Sequence, residues 1–86
     1  MNTAFLLMAQ YDGQAIIPAE KVCADYFPHL RTDQFVRKVG AGEIKLPLVR
    51  AETSQKSAKG VHLQDLADYL DGRRAAARKE LEQMTR

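Results

Sequence analysis

A chain of 86 residues that is 45% hydrophobic has the length for one domain and the apolar material for one modest core, but not for a large internal pocket. That favours a binding module over an enzyme. The net charge of +2 hides a basic centre: residues 31–60 hold Arg31, Arg37, Lys38, Lys45, Arg50, Lys56 and Lys59 against Asp33, Glu43 and Glu52, a local excess that suits a polyanion.

Asn2 or Thr3 can cap a first helix running through Ala4, Phe5, Leu6, Leu7, Met8 and Ala9 to about Tyr11, where Asp12 and Gly13 give a stop. Its apolar residues go almost all the way round, which requires burial inside the domain or against another subunit. Ala15, Ile16 and Ile17 read as a short extended piece. Pro18 suits the first turn of a second helix, Pro18 to Phe27, with Val22, Cys23, Tyr26 and Phe27 on its core face. Pro28 ends it, and His29, Leu30 and Arg31 form a tight link to the next helix, as in a helix-turn-helix.

That third helix, from Asp33 to about Ala41 with Thr32 as N-cap, divides its residues by face. Phe35, Val36 and Val39 gather on one side; Gln34, Arg37, Lys38 and Ala41 gather on the other. A long amide, a guanidinium and an ammonium side by side match the base edges and phosphates of a DNA major groove, although an amphipathic helix with a solvated polar face has the same pattern. Gly40 and Gly42 end the helix.

The period then changes from helical to alternating at Ile44, Leu46 and Leu48, and a strand is expected from about Leu46 to Glu52. The polar stretch TSQKSAKG leads into Val61, His62 and Leu63, which can pair back, so that residues 53–60 form the tip of a hairpin, a wing. A last helix begins near His62 to Gln64 and packs Leu63, Leu66, Ala67 and Leu70 on the core, with Asp65, Asp68 and Asp71 on its outer side. Gly72 weakens this helix without having to stop it. Residues 73–86 read as a helical tail beyond a domain of residues 1–72, with Arg78 and Glu82 spaced as an i, i+4 pair.

The chemistry of most catalytic sites is missing. His29, His62 and Cys23 are scattered without zinc spacing, the glycines at 40 and 42 follow a helix where a phosphate loop would precede one, and Cys23 has apolar neighbours in mid-helix. No metal and no cofactor is expected. The lone cysteine fits a reducing cytoplasm, the opening MNTAFLLMAQYDG has no basic n-region for a signal peptide, and no segment reaches membrane-spanning length, so a soluble cytoplasmic protein is the expectation.

The order of elements is that of a mainly α domain with a small β-hairpin, a winged helix-turn-helix of the excisionase and MerR type. The residues themselves resemble something narrower. The strings NTAFLLMAQYDGQAIIP, FVRKVGAGEIKLPLVR and SQKSAKGVHLQDLADYLD, within roughly residues 2–77, look like the pyocin activator protein family. The resemblance implies a small bacterial transcription activator that binds an upstream DNA element and switches on bacteriocin or prophage-like genes after DNA damage. RNA polymerase is the further partner that such a role implies.

The expected contact residues follow from the helix face and not from the resemblance. Gln34, Arg37 and Lys38 are expected in the groove, with Arg37 able to hold the O6 and N7 of a guanine together. Arg31, Lys45, Arg50, Gln55, Lys56 and Lys59 are expected on phosphates, and Thr32 joins the same surface. One helix and one wing read few bases, so a homo-oligomer is expected on double-stranded DNA, held by Phe5, Leu6, Leu7 and Met8 or by the tail stripe Ala77, Leu81 and Met84. Two other functions fit the same residues: an excisionase-like protein that bends DNA, and a protein-interaction module such as an anti-repressor.

Overall fold

In the computed structural model, which describes residues 2–53 and 58–85, the chain begins with a capped helix. The Asn2 carboxamide oxygen accepts from the Ala4 N–H at 2.8 Å and starts α1 (Thr3–Gln10). Asp12 and Gly13 both take positive φ, 53° and 75°, and the Gly13 N–H closes the helix on the Met8 carbonyl at 2.8 Å. There follow β1 (Ile16–Pro18), α2 (Ala19–Tyr26), α3 (Thr32–Gly40), β2 (Val49–Arg50), β3 (Lys59–His62) and α4 (Leu63–Met84).

The two-stranded hairpin expected from the sequence is a three-stranded antiparallel sheet of order β1-β3-β2. The third member is the short piece after α1: Ile16 pairs with His62, Ile17 with Val61 and Pro18 with Gly60. On the other edge Val49 pairs with Gly60 and Arg50 with Lys59. The expected strand Leu46 to Glu52 is cut to two residues. Pro47 has no N–H to give to a ladder, and the chain meets β3 only from Val49 onward. Ile44 and Leu46 are buried all the same, so their alternation reports burial without pairing. Leu63, which the sequence allowed at the end of the second strand or the start of the last helix, opens α4, its N–H donating to the Ala15 carbonyl at 2.8 Å.

Helix ends also differ from expectation. Pro18 is the last residue of β1 and the N-cap of α2, one place before the helix proper. Arg31, not Thr32, is the N-cap of α3, because the Gln34 carboxamide reaches back to accept from the Arg31 N–H at 3.0 Å and so places the helix start one residue earlier. At the far end the Gly42 N–H donates to the Val39 carbonyl at 3.1 Å and the Glu43 N–H to that of Lys38 at 3.0 Å. The second bond needs the left-handed turn that Gly42 makes at φ 78°. In α4 the His62 Nδ1 caps by accepting from the Gln64 N–H at 3.0 Å.

The core lies between the helices and one face of the sheet. Ile17, Val22, Phe35, Val61 and Leu66 are its most enclosed large side chains. Phe27 joins three helices: its ring stands 5.0 Å from that of Phe35 on α3 and 6.0 Å from that of Tyr69 on α4. Cys23 is a buried free thiol whose Sγ donates to the Leu30 carbonyl at 3.3 Å. α4 runs unbroken through Gly72. What changes there is packing, since most residues from 71 to 85 are exposed and the molecule is 50 Å long.

Tyr11 ties α1 to α2. Its ring is buried and its hydroxyl donates to the Asp25 carboxylate at 2.6 Å. Burial first, and then the bond to that carboxylate, hold the phenol well above the usual tyrosine range. Because the folded state favours the protonated phenol, its contribution is complete below about pH 10, where an unfolded tyrosine titrates, and declines as pH rises beyond that. Denaturant midpoints followed across the alkaline range should fall for the native chain, and fall less for Tyr11→Phe.

β3 is held between two neighbours at a point that admits no side chain. A Cβ on Gly60 would stand 2.6 Å from Ile16 Cγ2 and 2.8 Å from the Ile17 carbonyl oxygen, and the backbone cannot yield as a flexible side chain would. Gly60→Ala should therefore destabilise the domain by about 1–3 kcal/mol in urea unfolding. Gly40→Ala, where an added Cβ meets nothing within 4 Å, should be neutral or slightly stabilising.

Candidate nucleic-acid interface

α3 is anchored by Phe35 and Val39, both buried, with Val36 half-buried beside them. This inner side fixes what the helix presents outward. Asp33, Arg37, Gly40 and Ala41 are exposed, and Gln34 and Lys38 lie half-buried on the flanks. Arg37 is thus the cation at the middle of the outer face. Gln34 shares the surface, with its oxygen engaged at the helix start and both N–H donors of its amide left for an outside partner.

Arg31 stands at the N-terminal end of the same helix, where its Nε lies 3.3 Å from the Asp33 carboxylate. The side chains are 75% and 71% exposed, so the pair adds at most about 1 kcal/mol and can open for a stronger anion. Asp33 is the residue that the charge count undervalued, since it puts a carboxylate on the face assigned to a polyanion. Its position two residues after Arg31 was the available signal.

The β2–β3 pair brings two more cations together. Arg50 and Lys59 are directly opposed in the register, so both side chains belong to one stretch of the ribbon. The Ala51 N–H donates to the Ala58 carbonyl at 3.0 Å, which carries the hairpin one step past the strands. Gln55 and Lys56, expected at its tip, lie outside the described residues. Lys45 goes elsewhere: it lines a groove against α4 with Asp65, Asp68, Tyr69 and Arg73. Those acids are far away in sequence, so no local pattern announced them. Thr32 is half-buried in the first turn of α3.

Among the described residues no cluster of histidine, cysteine, aspartate or glutamate could hold a metal ion, and no helix is long and apolar enough to cross a membrane. Leu7, grouped with Phe5, Leu6 and Met8 as an oligomer contact, is 2% exposed and belongs to the core. An α1 contact with another chain would fall to the other three.

Fold and surface together define a small, mainly helical domain with a three-stranded sheet, carrying cations on one helix face and on a strand pair. The chain belongs to the family of pyocin activator protein PrtN, whose sequence model matches residues 3–77. No curated protein and no solved structure matches it. The family is one of regulatory activators, and membership ties the chain to the control of pyocin genes.

The reach of Gln34 back to Arg31 can be checked separately from any ligand. Gln34→Ala should lower stability by about 0.5–1.5 kcal/mol, and Gln34→Glu should keep most of it, since either an amide or a carboxylate oxygen can accept at this position. Thermal unfolding of the free protein would measure both.

Proposed function

We propose that the chain is a sequence-specific DNA-binding transcription activator of pyocin-like genes, with α3 in the major groove and the hairpin between β2 and β3 on the adjacent backbone. The observation that carries this reading is a helix whose buried inner side, Phe35 and Val39, leaves Arg37 at the centre of an exposed outer face. Arg50 and Lys59, opposite each other in the register of β2 and β3, add two cations on a ribbon that suits a phosphate backbone. The order of helices and strands, read as a winged helix-turn-helix, supports it, and so does the family. The cytoplasm is where such a protein works, with RNA polymerase as the machinery it would engage.

The roles divide by chemistry. Arg37 is suited to read a base, since a guanidinium can bond two acceptors of guanine at once. Lys38, at the edge of the face, and Arg31, at the helix start, are suited to phosphates on either side of the groove. Arg50 and Lys59 hold backbone and carry no sequence information.

Footprinting on a pyocin-type promoter region, followed by gel shifts over a range of salt, tests this division. Arg37→Ala should weaken binding to the matched site by about 1–3 kcal/mol and relax preference at one base position. Replacing Arg50 and Lys59 by glutamine should leave preference intact and lower the magnitude of the slope of log K against log salt by up to about 1.8. Absence of any DNA binding at low salt would overturn the reading and leave a protein-interaction role such as an anti-repressor.

A further inference from the structure

We propose that two copies of the chain exchange their α4 tails, so that the apolar stripe Ala77, Leu81 and Met84 of each lies on the outer face of the other's α1. Two surfaces left open by the fold carry this. The outer half of α1 is formed by Phe5, Leu6, Met8 and Ala9, all exposed, without a polar side chain among them. Phe5 is 68% exposed, Leu6 53% and Met8 46%, although a helix apolar on every side is one that packs on every side. The second surface is on α4, where Ala77, Leu81 and Met84 follow the four-and-three spacing of a coiled-coil seam, in phase with Ala67 and Leu70 and interrupted by Arg74. Ala67 and Leu70 meet the domain; Leu81 and Met84 lie 60% and 82% exposed beyond it.

The two surfaces cannot meet within one chain. α1 starts beside the middle of α4, where the Thr3 hydroxyl donates to the Asp71 carboxylate at 2.6 Å. Leu81 stands about 15 Å further along a continuous helix that cannot fold back. A second copy supplies the missing partner for both. The stripe from Ala77 to Met84 is about 10 Å long and α1 about 12 Å, so one covers the other.

Charge does not oppose that occupant, since α1 carries none and the stripe from Ala77 to Met84 balances Arg78 and Lys79 with Glu80 and Glu82. Area agrees with it. Five large apolar side chains per copy, at roughly 100 Å² each, supply on the order of 500 Å² of interface centre. The stems of Arg78 and Lys79 bring this towards the ~800 Å² per partner of a standard interface. A reciprocal exchange closes on itself as a two-fold dimer and leaves neither surface open. None of this depends on the DNA reading.

Sedimentation equilibrium on the full chain, with circular dichroism to verify the fold, tests the exchange. Phe5→Glu and Leu81→Lys each change an exposed residue to one whose charge suits its end of the helix, so both should fold. The native chain should be a dimer, and each variant should dissociate with a constant raised by a factor on the order of 30 or more. Met84→Lys should act in the same direction as Leu81→Lys. An equimolar mixture of Phe5→Glu with Leu81→Lys should recover the dimer, because one contact is then native and the other pairs Glu with Lys. A monomeric native chain, a Leu81→Lys variant as dimeric as the native, or a mixture that stays monomeric would each overturn the exchange.

Discussion

The antiparallel pairing of β1 with β3 is the contact through which the other elements are placed. Ile17 and Val61 face each other in the register and are both fully enclosed, yet they come from opposite ends of the domain. Closing so long a loop costs chain entropy that no local preference offsets, and the apolar burial around these two residues has to supply the difference. Gly60 lets the strands come together at this point, since any side chain there would collide with β1. The bond from the Leu63 N–H to the Ala15 carbonyl then carries the contact into the first residue of α4. Because α1 and α2 flank β1 while β2 and α4 flank β3, one short ladder sets the positions of all four.

α3 takes no part in the sheet and is located by aromatic packing. Phe35 meets Phe27, and Phe27 meets Tyr69, so one ring links α3 to both α2 and α4, with the buried Val39 adding to the anchor. The helix ends then fix its length: the Gln34 carboxamide closes the start and the turn at Gly42 closes the finish. A helix with its inner side and both ends determined has no freedom left in what it presents outward. Arg37 is exposed for that reason and not through a preference of its own.

The domain buries its apolar residues selectively. Phe35 and Leu66 are fully enclosed, whereas Phe5, of the same chemistry as Phe35, is mostly in water. The difference is one of geometry. α1 can offer only one side to the rest of the domain, and the buried Leu7 and, just past its end, Tyr11 mark that side. The tail of α4 repeats the situation, since the helix outruns the body it packs on.

Much of this was legible in the chain. Glycine, proline and asparagine marked most of the helix ends, because their effect on backbone geometry is local, and the period of Phe35, Val36 and Val39 identified the inner face of α3. The strings shared with the pyocin activator family were equally plain. Tertiary structure alone decided the rest. A strand of three residues is too short to show a period, so Ile16 to Pro18 became β1 only by meeting β3. Ile44 and Leu46 alternated like a strand although only their burial was real. Lys45 turned towards Asp65 and Asp68, and Leu7 separated from Phe5, Leu6 and Met8, once α4 was in place. Local sequence sets what a residue's backbone can do and which of its neighbours share its face; which face is covered, and by what, depends on residues far along the chain.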